Sequence, residues 1–125
     1  MSADRILVVD DNPINLKVVQ IALSVAGYDV HTAVDAESTL ALLGSLQPRL
    51  VLMDLQLPGM DGLALTRRLK SDPKTQSAII VAVTAYAMKG DEQRALAAGC
   101  DGYMTKPINT RTLAATVASY LEGTR

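Results

Sequence analysis

Three short runs of apolar residues, each ending at a polar residue, constrain the fold more than any other feature of this sequence. They are Ile6–Val9 before Asp10, Leu50–Met53 before Asp54, and Ile79–Val83 before Thr84. A strand that is apolar on both faces has to be covered on both faces, whereas a half-exposed strand alternates apolar and polar residues. The runs therefore predict an α/β fold in which a parallel sheet lies between two layers of helices.

Two weaker patterns add a second and a fifth strand to this sheet. Val30–Ala33 alternates, with Val30 and Thr32 opposite His31 and Ala33, which indicates an edge strand with His31 and Ala33 on its polar side. Tyr103–Thr105 is a short strand that ends at Lys106. Together with the three apolar runs, these patterns predict five strands.

Helical patterns separate the strands. Apolar residues recur at helical spacing from Pro13 to Ala26, and Gly27 follows where a helix is expected to end. Asp35 is a suitable N-cap for a helix through about Leu46. Three further helices are expected, one from the turn at 57–62 to about Lys70, one over Asp91–Ala98 before Gly99, and one capped by Asn109 or Thr110 with Leu113, Val117 and Leu121 on one face.

Composition narrows the class of protein. The 125 residues fit one domain, expected to span residues 1–125 with no output domain after the last helix. Twelve basic against thirteen acidic residues give a formal net charge of −1, so direct binding of nucleic acid is not expected. No apolar run approaches the roughly 18 residues of a membrane span, and no secretory signal precedes the first strand. The single cysteine, Cys100, cannot form an internal disulfide, and we expect a cytoplasmic protein.

Five polar residues fall at the carboxyl ends of the predicted strands, where open parallel sheets bind ligands. Asp10 and Asp11 follow the first strand, Asp54 the third, Thr84 the fourth and Lys106 the fifth. If the first and third strands are neighbours, three carboxylates share one pocket and repel one another. Oxygen ligands without His or Cys favour a hard, partly hydrated cation, so the pattern predicts Mg²⁺.

The same residues suit phosphoryl transfer, which needs positioning and charge neutralisation more than acid or base. Asp54 is the predicted nucleophile because it follows a buried strand singly, and an aspartate can form an aspartyl-phosphate. Asp10 and Asp11 form a pair suited to metal binding. Lys106 would supply positive charge, and the Thr84 hydroxyl would bond a phosphoryl oxygen.

With these residues in place, the chain resembles the receiver domains of two-component response regulators. The matching segments are Val8–Asn12, Leu52–Gly62, Val83–Ala85 and Lys106-Pro107, and the resemblance extends over about residues 5–121. The segment 84–91 is similar to stand-alone cell-division regulators of the DivK type and to receivers attached to hybrid histidine kinases. The resemblance implies a doubly wound, flavodoxin-like sheet of strand order 2-1-3-4-5 with five helices.

The resemblance also implies a role for each site residue. Asp54 would be the phosphoacceptor, and Thr84 and Lys106 would engage the phosphoryl group. Asp11 would hold Mg²⁺ directly and Asp10 mainly through water, with Asp54 and the backbone carbonyl of Gln56 as further ligands and Mn²⁺ as an alternative ion. Tyr103 would be a switch aromatic that turns inward when Thr84 moves, and the Lys106-Pro107 bond would be cis.

A protein of this family acts through partners. We expect the phosphoryl group to come from a phosphohistidine on a sensor histidine kinase or a histidine phosphotransfer protein. Residues 13–15 and 107–108 flank the pocket and are the expected docking surface. A downstream protein effector would read the face of the fourth helix, fifth strand and fifth helix. The protein would be a phosphoacceptor that assists its own phosphorylation and dephosphorylation, not an enzyme acting on a separate substrate.

Two other functions fit the sequence less well. An Asp-nucleophile phosphatase typically has a second Asp two residues after the nucleophile, where this chain has Gln56. A nucleotide-binding protein would have a Gly-rich turn after the first strand, where this chain has Asp10–Pro13. Taken singly, the site residues also have structural explanations, such as a helix cap at Asp10–Pro13 and a β-branched strand residue at Thr84. Their shared place at one sheet edge favours the receiver interpretation. Arg67, Arg68 and Lys70 are expected to form a solvated helix face.

Overall fold

Strands and helices alternate five times along the chain. The computed structural model describes residues 4–57, 61–85, 90–106 and 108–123. The strands are β1 (Arg5–Val9), β2 (Asp29–Ala33), β3 (Leu50–Asp54), β4 (Ile79–Thr84) and β5 (Gly102–Thr105). The helices are α1 (Pro13–Val25), α2 (Ala36–Leu43), α3 (Gly62–Ser71), α4 (Asp91–Ala98) and α5 (Thr110–Gly123). The predictions for residues 58–60 and for the Lys106-Pro107 bond lie outside the described residues.

The five strands form one parallel sheet in the order β2-β1-β3-β4-β5. This confirms both the α/β class and the strand order that the resemblance implied. β2 lies on one side of β1, and β3 lies on the other side. The order in which the chain adds strands therefore reverses direction between β1 and β3. The crevice at the carboxyl ends of these two strands is the place where this kind of sheet binds ligands.

The sheet lies between two hydrophobic layers, because successive side chains of a strand point to opposite faces. Leu7, Val51 and Ile80 belong to a core cluster with residues of α2, α3 and α4. Their neighbours Val8 and Leu52 belong to a second cluster with residues of α1 and α5. The continuous apolar runs are thus buried on both faces, as predicted.

The end of α2 differs from the prediction. The sequence pattern placed the end near Leu46, but the helix ends at Leu43. The backbone N–H groups of Ser45 and Leu46 both donate to the carbonyl of Leu42, which tightens the chain into a turn. Leu46 is nevertheless buried in the core, so its apolar character reflects packing after the helix has ended.

The second strand is at the edge of the sheet, as predicted, but its expected polar side is wrong. Ala33 is buried in the core cluster beneath α2, and His31 is only half exposed. Helices cover both faces of this sheet. An edge strand therefore lacks a neighbouring strand on one side, but both of its faces are still covered. The strand also begins one residue earlier than predicted, at Asp29.

Candidate functional site

Three carboxylates meet at the carboxyl ends of β1 and β3. Asp10 and Asp11 follow β1, and Asp54 is the last residue of β3. One carboxylate oxygen from each lies within 4.8 Å of the others. Asp10 is 6% exposed and Asp54 is 3% exposed, whereas Asp11 is open to solvent. The structure therefore brings together the three acidic residues that the sequence predicted would share a pocket.

Short backbone turns fix the two buried carboxylates. Asp10 Oδ1 accepts a hydrogen bond from the backbone N–H of Asn12 at 2.9 Å. Asp54 Oδ1 accepts one from the backbone N–H of Gln56 at 3.0 Å. Asp side chains commonly bond the backbone two residues on. In each residue the first oxygen is held by the loop, and the second oxygen faces the pocket.

The start of α1 adds a second support to the acidic pair. Asn12 is the N-cap of the helix, and its side chain accepts hydrogen bonds from the backbone N–H groups of Ile14 and Asn15. The Asn15 side chain in turn lies 3.5 Å from Asp10 Oδ2. Sequence reasoning missed this contact of Asn15, although its position in the first turn of the predicted helix was a usable signal.

Lys106 links the two buried carboxylates. Its Nζ lies 2.9 Å from Asp10 Oδ2 and 3.2 Å from Asp54 Oδ2. The backbone N–H of Lys106 donates to the carbonyl of Thr84 at 2.8 Å, which holds the end of β5 beside that of β4. A residue 52 positions away along the chain thus reaches the predicted nucleophile.

Burial and neighbouring charges shift two pKa values in the pocket. Burial raises the pKa of Asp54, and the nearby Asp10 raises it further, while the Gln56 N–H and the Lys106 ammonium oppose the shift. Burial by itself would lower the pKa of Lys106, but its hydrogen bond to Asp10 and the charge of Asp54 outweigh burial and raise it. The pocket therefore holds three carboxyl groups and one ammonium group.

Thr84 and Gln56 form a further contact at the pocket. Thr84 ends β4 and is fully buried. The Gln56 side-chain amide reaches its hydroxyl, with Nε2 3.1 Å and Oε1 3.3 Å from Thr84 Oγ1. The sequence placed both residues at this edge, but it gave no sign that their side chains are bonded to each other.

Tyr103 lies one strand away from these residues. It stands opposite Ala82 in the pairing of β4 with β5, and it is half-buried against the core cluster on the side of α3 and α4. Its side chain is therefore packed against the core and remains partly accessible to solvent. That position is compatible with either a packing role or a switch role.

A cavity of about 400 Å³ opens beside the carboxylates. Its lining combines the charged groups Asp10 and Lys106 with apolar residues of α1 and the loop after β5, namely Val18, Val19 and Ile108. Charged and apolar surfaces therefore meet in a cavity beside Asp10.

The fold and the site together define a family. Residues 6–118 match the response regulator receiver domain family, and this chain belongs to it. Among its relatives is the polar-differentiation response regulator DivK of Brucella anthropi, 38% identical over 116 residues that cover 93% of this chain and 94% of that protein.

Solved structures agree with this assignment. A CheY-like receiver domain protein from Methanospirillum hungatei superposes with a TM-score of 0.90 at 32% identity, covering 98% of this chain and 97% of the other. The receiver domain of the sensor histidine kinase PA1611 from Pseudomonas aeruginosa has a TM-score of 0.87 at 30% identity, covering 97% of this chain and 99% of that one. That structure has a magnesium ion coordinated in its active-site cleft.

Among the described residues, none of the helices has the length and apolar character needed to cross a membrane.

Proposed function

We propose that this receiver domain is a phosphoacceptor module in which Asp54 takes a phosphoryl group from a phosphohistidine. The observation that carries the proposal is the position of Asp54, buried within 4.8 Å of Asp10 and Asp11 and 3.2 Å from the Lys106 ammonium. A carboxylate in such a pocket is a nucleophile surrounded by groups that neutralise phosphoryl charge.

The donor set fits Mg²⁺. It consists of oxygen ligands only, and its negative charge exceeds the single positive charge of Lys106, as a hard divalent cation requires. Asp11 and Asp54 would bind the ion directly, Asp10 mainly through water, and the Gln56 backbone carbonyl would add a ligand. Bound there, the ion would neutralise negative charge on the phosphoryl oxygens, and Mn²⁺ would be an alternative ion.

Transfer needs one bond to form and one to break. An Asp54 carboxylate oxygen attacks the phosphorus atom, and the bond from phosphorus to the imidazole nitrogen of the donor breaks. The electron pair returns to that nitrogen, and a proton on the other ring nitrogen of the donor lets the imidazole leave as a neutral group. The Lys106 ammonium would neutralise charge on the phosphoryl oxygens, and the Thr84 hydroxyl would donate a hydrogen bond to one of them. No residue of this chain has to act as a general acid.

The donor is proposed to be a helical protein surface that carries a phosphohistidine, on a sensor histidine kinase or a phosphotransfer protein. Four apolar residues of α1 project into solvent, Ile14, Val18, Ile21 and Val25, with exposures from 46% to 84%. Their spacing of four, three and four residues makes one stripe along the helix. The stripe adjoins the cavity beside Asp10, so one partner could cover both.

Phosphorylation would switch a second surface. It replaces the single negative charge of the Asp54 carboxylate by about two negative charges on the phosphoryl group, next to Asp10 and Asp11. Thr84 would move toward the phosphoryl group and Tyr103 would turn inward, which would repack the face of α4, β5 and α5. A downstream protein effector in the cytoplasm would read that face.

A test is phosphorylation by acetyl phosphate with and without Mg²⁺, followed by intact-mass measurement and treatment with hydroxylamine. We expect one added phosphoryl group, labile to hydroxylamine and absent without a divalent ion. Asp54→Asn should remove it entirely. Steady release of phosphate from small esters without a stable adduct would contradict the proposal and favour a phosphatase.

A further inference from the structure

Gln56 touches both the proposed nucleophile and the proposed switch residue. Its backbone N–H donates to Asp54 Oδ1 at 3.0 Å, and its side-chain amide reaches Thr84 Oγ1. The backbone contact fixes where the side chain begins, because residue 56 cannot move away from Asp54 without losing that hydrogen bond. Gln56 therefore forms a bridge across the gap between the ends of β3 and β4.

The side-chain contact concerns the one proton of the Thr84 hydroxyl. A hydroxyl has a single proton to donate, together with acceptor capacity. Both amide atoms of Gln56 lie within 3.3 Å of Thr84 Oγ1, so either orientation of the amide leaves an oxygen in reach to accept that proton. While the proton points at Gln56, it is not available to an oxygen of a phosphoryl group on Asp54.

We propose that Gln56 is a positioning residue that competes with the phosphoryl group for the Thr84 hydroxyl and so sets how readily the receiver switches. The inference rests on the proposed function of Asp54 and Thr84. Because a neutral hydrogen bond has a modest net strength, and because Gln56 is on the exposed side of the pocket, the effect on switching should be about two- to tenfold.

The matched test replaces the amide by an apolar chain of similar length. Beryllofluoride, a mimic of the phosphoryl group, is titrated in the presence of Mg²⁺ into the wild type and into Gln56→Met. We expect Gln56→Met to bind beryllofluoride about two to ten times more tightly. The control is Gln76→Met, because Gln76 is an exposed glutamine in the loop at the opposite end of the sheet. This variant should leave the affinity unchanged.

A second pair of variants shows whether the effect passes through Thr84. In a Thr84→Val background, where the hydroxyl is absent, adding Gln56→Met should change beryllofluoride affinity by less than about twofold. The same gain in both backgrounds would overturn the inference, as would unchanged or weaker binding by Gln56→Met alone. Each variant's thermal midpoint without Mg²⁺ is measured beside it, to separate switching from folding.

The controls also separate this inference from the proposed function. If the wild type binds beryllofluoride and Gln56→Met shows no gain, only the role of Gln56 is wrong. If the wild type fails to bind beryllofluoride in the presence of Mg²⁺, the phosphoacceptor function and the inference that rests on it are both overturned.

Discussion

Two lysines at opposite ends of the sheet are paired with aspartates in very different ways. Lys70, on α3, donates to Asp101 at 2.9 Å and to the backbone carbonyl of Ala78 at 2.7 Å. The same Asp101 oxygen accepts the N–H of Ile80 at 2.8 Å, which ties the start of β4 to the start of β5. Lys106, at the carboxyl ends, instead faces the carboxylates of Asp10 and Asp54 at once.

The difference is between a balanced ion pair and a cluster in which carboxyl groups outnumber the ammonium group. At the amino ends, one positive charge meets one negative charge, and the Ala78 carbonyl and the Ile80 N–H add hydrogen bonds to the pair. At the carboxyl ends, one ammonium group meets three carboxylates, two of them buried. A cluster of groups that repel one another is typical of a ligand-binding site, which supports the proposed cation site at the carboxyl ends.

The largest expected difference between the two ends is in phosphorylation. Lys106→Met removes the proposed partner of the phosphoryl oxygens, and we expect the rate of phosphorylation by acetyl phosphate to fall about 100-fold, as for the loss of one charge-stabilising donor. Lys70→Met should keep the rate within about twofold. The rates are read by intact-mass measurement over time. Similar rates for Lys106→Met and the wild type would contradict the proposed difference between the two lysines.

The next expected difference is in folding stability. Lys70→Met removes the Nζ contacts with Ala78 and Asp101, and we expect the free energy of unfolding to fall by about 1–2 kcal/mol. This figure is below that for a fully buried pair because water reaches both side chains. Urea unfolding measures it. As a control, Lys74→Met, at an exposed position of the neighbouring loop, should shift the midpoint very little.

Magnesium should bind at the carboxyl ends of the strands and not at the amino ends, and its binding should stabilise the folded domain. At about ten times its dissociation constant, a ligand that binds only the folded protein adds about 1.4 kcal/mol. For a domain of this size the midpoint of thermal unfolding would rise by about 3–6 °C. EDTA should reverse the shift, and Asp11→Asn should reduce it. An equal shift in Asp11→Asn would show that the ion acts elsewhere on the protein.

The smallest expected effect is the pH dependence that Asp54 contributes without metal. Its pKa is raised in the folded protein, so the folded chain takes up this proton at a higher pH than the unfolded chain. Relative to Asp54→Asn, the wild type should therefore become more stable as the pH falls through the folded pKa, with no further gain below the unfolded value of about 3.9. Urea unfolding in EDTA at several pH values measures this difference. A difference that grows toward neutral pH would contradict the sign.

Local signals predicted most of the fold. The apolar runs before Asp10, Asp54 and Thr84 became β1, β3 and β4, and Asp35 caps α2 as predicted. Asn109, one of the two candidate caps of the last helix, accepts the N–H of Arg111. These features depend on neighbouring residues, which is why a sequence pattern can identify them.

Features that depend on distant residues were not predicted. Lys70 was expected to be solvated with Arg67 and Arg68, but it is paired with Asp101, 31 positions away. The bond between Gln56 and Thr84 spans 28 positions and was missed for the same reason. The strand order came from the family resemblance, because periodicity identifies strands without saying which of them are neighbours.

We propose above all that Asp10, Asp11 and Asp54 form one cation site, whereas the balanced pair of Lys70 and Asp101 does not. The most direct measurement is the anomalous difference map of a crystal soaked in MnCl₂, since Mn²⁺ accepts the same oxygen ligands as Mg²⁺. We predict that the strongest peak lies between the carboxylate oxygens of Asp11 and Asp54. No peak there, or the strongest peak at Asp101, would contradict the account.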